Sequence, residues 1–351
     1  MKRIVYLDYL RVFSVFAVMV LHTAAACFYS TDGINSDWQI MNFYDGIVRW
    51  GVPVFVMMSG ALFLPRNIEI KTIYKKYIPR MIVAYFCWSM VYVLAEPVLA
   101  LISGEKYSFS IPSAIGELLG GQVHMWFIPM IIGVYIFIPI IKPVAENDKI
   151  RRYFLLITFI FISILPLIKN IGQDFTSGIM HKAVNVFFTV VSNMNIAIKY
   201  IFYFVLGYEL SVSEFTKKQK KIVIVLGISG FIATVLLNSL AAIKTNTATS
   251  NYFNNFYVNV LFEAVLVFVG FKAIKGQSDK INCFIKKLAD CTFGAYFVHV
   301  LVLRLLGSFG LNALTFSPII SIPLLSVVVF VLSFAIALLL KKIPLVKDWI
   351  V

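Results

Sequence analysis

Charged residues are scarce in this chain. Only 14% of its 351 residues are Asp, Glu, Lys or Arg, whereas 60% are hydrophobic. A soluble globular domain carries roughly 25% charged residues, so composition alone excludes that class. The mean hydropathy of +0.88 is typical of a protein that crosses a membrane several times.

Cysteine and the common motifs of soluble enzymes are also scarce or missing. The four cysteines are Cys27, Cys87, Cys283 and Cys291, and they form no CxxC pair, so no disulfide framework is indicated. Without HExxH or closely spaced histidines, a metal site is a poor fit. Without GxGxxG, GxxxxGK[ST] or GxSxG, neither a conventional nucleotide fold nor a nucleophile elbow is supported.

Long hydrophobic segments are what the chain has instead. We interpret ten of them as membrane spans. They cover residues 9–29, 45–64, 79–102, 124–142, 152–168, 196–211, 221–243, 256–273, 291–309 and 318–340. Since no repeat or soluble appendage accompanies them, we expect one all-α domain over 1–351, a polytopic membrane helical bundle. Its largest outer loop, about 169–195, has room for a small cap.

The distribution of basic residues predicts the orientation in the membrane. The chain has 31 Lys and Arg against 17 Asp and Glu, a formal net charge of +14, and most cations lie in every second connecting segment. By the positive-inside rule we expect both termini in the cytoplasm, with contacts to membrane lipids. No recognition motif points to a nucleic-acid partner. Asp8 and Arg11 precede the first apolar core, which favours a retained helix over a cleaved signal peptide.

The first hydrophobic segment carries two ionisable residues, Arg11 and His22. Their spacing places both on one helix face, about 16 Å apart along the axis. Asp8 lies one turn before Arg11 on roughly the same face. Because an ionisable group at membrane depth is costly, its default interpretation is functional. The simpler alternatives are an arginine that snorkels to the headgroups and a histidine that bonds to a neighbouring helix.

Other polar residues fall within the spans or at their ends. They are Arg49, His124, Glu209, Glu263, His299 and Arg304. Together with the first segment they predict two polar zones. One is cytoplasmic, around Asp8 and Arg11, and the other is central to outer, around His22, His124, His299, Arg49 and Arg304. His124 beside Trp126 also fits an ordinary interfacial aromatic belt.

At these positions the chain resembles the integral-membrane acyltransferase 3 family. The likeness rests on five elements in order along most of the chain: Arg11-x10-His22; Arg49–Phe63 with Ser59-Gly60; the basic segment Lys75–Arg80; His124–Pro129 with Trp126; and Cys291–His299. Each element is weak alone, but their order on the expected spans is specific. Ala61, Ala295 and Phe297 depart mildly from the family pattern and remove no chemical group. The chain looks most like the small stand-alone surface-polysaccharide O-acetyltransferases of the enterobacterial common antigen type.

The resemblance implies acetyl or similar acyl transfer from a cytoplasmic acyl-CoA to a hydroxyl of a cell-surface or lipid-linked carbohydrate, at the bacterial cell membrane. It implies His22 as general base, Arg11 as donor contact and Asp8 as the residue that holds Arg11. The implied acyl-CoA-binding residues are Arg11, Lys75, Lys76 and Arg80. The implied substrate-binding residues are His299, His124, Arg49, Trp126, Ser59, Arg304 and Glu263. Acetyl-CoA is then a donor substrate, and neither a permanently bound cofactor nor a metal is expected.

The sequence leaves open both the route of acyl transfer and the class of function. Transfer can run directly from CoA to the hydroxyl or through a covalent acyl-histidine. A transporter or flippase for a polar solute or glycolipid would use the same buried groups as a pathway. The sequence shows neither an inverted repeat nor a matched pair of broken spans, and both absences count against transport. A purely structural membrane protein would leave the buried polar cluster without a role.

Overall fold

The structure is a computed structural model that describes residues 3–31, 33–175, 199–274 and 276–350, and every regular element there is helical. The all-α class is therefore confirmed. Most of the expected outer loop 169–195 lies outside the described residues.

The described residues form fifteen helices. In chain order they are α1 (Val5–Ala25), α2 (Ser36–Gly46), α3 (Gly51–Phe63), α4 (Ile70–Ser103), α5 (Ile111–Gly120), α6 (Val123–Ile136), α7 (Ile138–Glu146), α8 (Asp148–Phe175), α9 (Lys199–Val212), α10 (Lys217–Thr245), α11 (Val258–Lys272), α12 (Asp279–Ala289), α13 (Thr292–Ser308), α14 (Pro318–Leu340) and α15 (Pro344–Trp349).

Local sequence signals set the ends of α10. The Thr216 side chain accepts a hydrogen bond from the Gln219 amide, and the Gln219 side chain accepts one from the Thr216 amide. This reciprocal capping box satisfies two N–H groups that the first turn would leave without partners. At the other end Asn246 takes the left-handed conformation, with φ of 51°, that commonly ends a helix.

The described helices pack as two compact units, each discontinuous in sequence. The first unit comprises Met1–Cys27, Asn67–Pro139 and Gly276–Val351; in it α14 packs along α1 and α13, and α4 packs on α13. The second unit comprises Phe28–Arg66 and Ile140–Lys275; in it α3 packs on α9, and α10 on α11. Each unit is built from segments that are distant in sequence, so cleavage of the chain at one position would not release either unit. One domain over the whole chain stays a prediction.

Six described helical stretches are long and apolar enough to cross a membrane, or up to eight if each of two bent pairs is one span. The pairs are α5–α6, bent by 44°, and α12–α13, bent by 62°. Helices α9 and α11 have 14 and 15 residues. They are about 21 and 23 Å long, shorter than a hydrocarbon core of about 30 Å. The membrane bundle is thus confirmed, whereas ten spans and cytoplasmic termini stay predictions.

Candidate active site

Three histidines from separate helices meet in the first unit. His22 lies near the end of α1, His124 in the 3-10 turn that begins α6, and His299 about two turns into α13. The ring centroids are 5.1 Å apart for His22–His299 and for His124–His299, and 6.2 Å apart for His22–His124. In the part of the chain that the structure describes, no group of three or more His, Cys, Asp or Glu residues could hold a metal ion. We call these three residues the histidine cluster.

His22 is the member of the histidine cluster that reaches open space. It is partly exposed, whereas His124 and His299 are only 3% and 1% exposed. A cavity of about 460 Å³ opens beside His22, lined mainly by small and apolar residues of α1 and α13, with Arg304 and Asn312 among its polar groups. A substrate in this cavity would touch His22, while the other two rings would lie behind it.

Hydrogen bonds fix the orientation of the buried histidines. Nδ1 of His299 lies 2.5 Å from the carbonyl oxygen of Tyr296. A carbonyl only accepts, so the neutral ring carries its proton on Nδ1 and a lone pair on Nε2. The Tyr296 hydroxyl donates to the carbonyl of His124, which ties α13 to the turn that begins α6. Within the described residues, Nε2 of His299 has no hydrogen-bond partner. Buried polar atoms normally have a hydrogen-bond partner, so an unpaired ring nitrogen marks the histidine cluster as a candidate functional site.

Arg304, a predicted substrate contact, is bound by a carboxylate that the sequence reasoning missed. Its two terminal nitrogens donate to the two oxygens of Glu96 in α4, at 2.5 and 2.7 Å. The signal was present in the sequence, because Glu96 is a carboxylate inside a hydrophobic segment and so needs a partner. Arg304 therefore lines the cavity as half of an ion pair, with its forked donors already occupied.

We expect Glu96→Gln to lower the free energy of unfolding by about 1–2 kcal/mol, because a charge-assisted fork is lost. The cost stays below that of a fully buried pair, since the Arg304 side chain is 35% exposed. Thermal unfolding in detergent measures it, with Glu105→Gln at the exposed end of the same helix region as control. Arg304→Met should add little to Glu96→Gln if the two residues act as a pair; fully additive losses would contradict the pairing.

Asp8 pairs with Arg3, and not with Arg11 as the sequence suggested. Nε and Nη2 of Arg3 donate to the two Asp8 oxygens at 2.5 and 3.0 Å, and Nη2 also donates to Asp290 at 2.8 Å. Burial opposes the charge on Arg3, but these hydrogen bonds raise the pKa of Arg3 above its ordinary value. Arg3 thus joins the start of α1 to the bend between α12 and α13.

Arg11 is left with its donors open. Its side chain is partly exposed and forms no ion pair within 4 Å among the described residues. Asp8, Tyr135 and Asp290 act on its charge from a distance. A guanidinium inside a hydrophobic segment without a carboxylate partner is well suited to bind an anion that arrives from outside the protein.

The basic segment lies at the same end of the first unit. Lys75 and Lys76 are exposed in the first turns of α4, and the guanidinium of Arg80 lies 5.5 Å from the ring centroid of Phe293. Phe293 follows Asp290, the partner of Arg3, by three residues. The start of α4 therefore lies near the start of α13, to which Arg3 also joins the start of α1.

Two further predicted substrate contacts, Arg49 and Glu263, lie in the second unit, where Arg49 is partly buried and Glu263 is fully buried. Arg49 forms an ion pair with Asp45 and lies 4.2 Å from the ring centroid of Phe253. Glu263 is 0% exposed, and one of its oxygens accepts a hydrogen bond from Thr234 at 2.5 Å. The structure provides structural partners for both residues, and their role in substrate binding stays a prediction.

Ser59 and Trp126 complete the predicted set. The Ser59 hydroxyl donates to the carbonyl of Phe55 in its own helix at 3.1 Å, within the second unit. Trp126 is 42% exposed and lies in the same turn as His124, and its ring centroid is 6.3 Å from that of Phe127. Neither residue belongs to the histidine cluster, and neither is among the described residues that line the cavity beside His22.

Comparison with known proteins assigns the chain to a family. A family model described as an acyltransferase domain matches residues 4–340, nearly the whole chain. Neither the curated proteins nor the solved structures contain a match. The match confirms the resemblance at the level of the family, and the roles of the histidine cluster, Arg11 and the basic segment stay predictions. The chain belongs to the acyltransferase 3 family, and it is a membrane acyltransferase.

Proposed function

We propose that this protein is an O-acyltransferase that moves an acetyl or similar short acyl group from a cytoplasmic acyl-CoA to a hydroxyl of a cell-surface or lipid-linked carbohydrate. The observation that carries the proposal is the position of His22, partly exposed beside a cavity and backed by two buried histidines. Such an imidazole can exchange a proton with a bound hydroxyl near neutral pH. The small stand-alone polysaccharide O-acetyltransferases are the subgroup to which we assign it, and the bacterial cytoplasmic membrane is its proposed location.

His22 acts as the general base in this proposal. It takes the proton of the acceptor hydroxyl while the hydroxyl oxygen forms a bond to the thioester carbon. The carbon–sulfur bond then breaks, and the CoA sulfur leaves with the proton from His22. We favour this direct transfer over a covalent acyl-histidine because it needs only the one histidine that lines the cavity. The His299 ring, whose centroid lies 5.1 Å from that of His22, supports the positive charge that His22 gains.

The donor enters at the other end of α1. Arg11 offers a planar set of N–H donors that suits phosphate or thioester oxygens, and Lys75, Lys76 and Arg80 add positive charge at the same end of the first unit. With cytoplasmic termini, this end faces the compartment that holds acyl-CoA. Arg11 and His22 are about 16 Å apart along the helix, a distance that the pantetheine arm of CoA has to cover.

The decisive experiment supplies purified protein in lipid with acetyl-CoA labelled in the acetyl group, with and without a surface glycan. We expect labelled glycan and free CoA in equal amounts, only when both substrates are present. Label that remains on the protein after denaturation would favour the acyl-histidine. Movement of a solute or glycolipid across the membrane with no CoA release would overturn the proposal and favour the transporter.

We expect Arg11→Lys to raise the KM for acyl-CoA about tenfold, because a point charge does not replace a bidentate guanidinium. Initial rates over a range of acetyl-CoA concentrations measure it. Arg152→Lys, on a side chain that is 73% exposed, is the matched control and should leave KM unchanged. An unaltered affinity for acyl-CoA in the Arg11 variant would remove Arg11 from the donor site.

A further inference from the structure

Tyr92 makes an unusual pair of contacts with the helix that carries His299. It lies in α4 and is 1% exposed. Its hydroxyl donates to the carbonyl of Phe297 at 2.7 Å and accepts from the amide of Leu301 at 3.0 Å. These two groups are four residues apart, so they are the carbonyl and the amide that close one turn of α13. His299 lies in the middle of that turn.

The Tyr92 hydroxyl acts both as hydrogen-bond donor and as acceptor in these contacts. A tyrosine hydroxyl has one proton to donate and lone pairs to accept, and both functions are spent on backbone groups of α13. The Tyr92 ring also meets the ring of His124 edge to face, with centroids 5.6 Å apart. One side chain therefore touches the ring of one buried histidine and the helical turn of the other.

Tyr92 is the middle of three contacts spaced one turn apart on α4. One turn before it, Trp88 stacks on Phe297 with ring planes only 4° apart. One turn after it, Glu96 holds Arg304. Contacts at three successive turns restrict both the sliding and the rotation of α13 against α4. Of the three, Tyr92 is the one that binds the backbone on both sides of His299.

We propose that Tyr92 is a positioning residue for the histidine cluster: by bridging Phe297 and Leu301 it sets the rotation of α13 that holds His299 beside His22 and His124. Only the expected effect of Tyr92 on the transfer rate rests on the proposed function. A small rotation of α13 would move the His299 ring away from His22, and misplacement by about 1 Å can cost about 100-fold in rate.

Tyr92→Phe tests this directly, because it removes the hydroxyl and keeps the ring. We expect kcat to fall about 10- to 100-fold with the KM for acyl-CoA unchanged. We also expect buried His299 to react several times faster with diethylpyrocarbonate, measured by mass spectrometry of its peptide. The matched control is Tyr85→Phe in the same helix, which loses a hydroxyl bond to the carbonyl of Leu119 in α5 and no bond to α13; it should change neither readout.

The two readouts separate this proposal from the proposed function. Unchanged His299 reactivity in Tyr92→Phe would overturn the positioning role, whatever happens to the rate. Equal losses of kcat in the Tyr92 and Tyr85 variants would also overturn it, because general loosening of α4 would then explain both. If the wild-type protein transfers no acyl group, the proposed function fails, while the change in His299 reactivity still decides the role of Tyr92.

Discussion

Replacing His22 with alanine should lower acyl transfer by about 10²- to 10⁴-fold, the usual contribution of a general base. The protein should still fold, since His22 is partly exposed at the edge of a cavity and its removal leaves no buried charge. Release of CoA from labelled acetyl-CoA in the presence of glycan measures the effect. Ser14→Ala, a buried polar residue of the same helix, is the control for damage to α1.

Chemical rescue would sharpen this result. The alanine variant enlarges a cavity of about 460 Å³, so added imidazole should enter and restore part of the rate. Rescue that rises with the concentration of neutral imidazole would identify a proton-transfer role. Near-normal transfer by the alanine variant without imidazole would remove His22 as the base, and the buried histidines would then need another explanation.

The largest effect on folding should come from Gly60→Ala. A Cβ at Gly60 would lie 1.7 Å from the carbonyl oxygen of Phe204, and one at Gly207 would lie 2.0 Å from that of Met57. Helices α3 and α9 thus meet backbone to backbone through two glycines, as small residues allow in membrane bundles. Since backbone cannot move aside like a flexible side chain, we expect a loss of more than about 3 kcal/mol, the upper range for ordinary overpacking.

The measurement is the yield of monodisperse protein and its thermal unfolding in detergent. Gly270→Ala in α11 is the matched control, because nothing lies within 4 Å of a Cβ there. It should be neutral or stabilise by up to about 1 kcal/mol, the helix propensity difference between glycine and alanine. Equal yield and equal unfolding temperature for the two variants would contradict the close approach of α3 and α9.

The Ser59-Gly60 element has a role in helix packing. In the sequence it marks the family, and Ser59 is a natural candidate for substrate contact. In the structure Ser59 bonds back to its own helix, and Gly60 is the residue with a definite physical task. A short motif reports that a residue type is needed at a place, but the reason can be packing as well as chemistry.

Charge pairing shows where sequence reasoning stops. Asp8 and Arg11 are one turn apart, which made their pairing the natural expectation. Arg3 binds Asp8 in place of Arg11, and it also binds Asp290 at the bend between α12 and α13. Glu96 and Arg304 are far apart in sequence, and only the packing of α4 on α13 makes them an ion pair. Helical spacing is a local rule, and it does not tell which other helix supplies a closer partner.

The sequence by itself determined the membrane class, the all-helical architecture and the family, because each depends on composition, periodicity or the order of short elements. It also placed Arg11 and His22 on one face of one helix, since that follows from 3.6 residues per turn. Tertiary structure alone decided that His22, His124 and His299 form one cluster, that His22 is the ring beside the cavity, and that Tyr92 holds the turn around His299. Those facts depend on which helices pack together and at what rotation, and contacts between distant segments leave no periodic trace in a single chain.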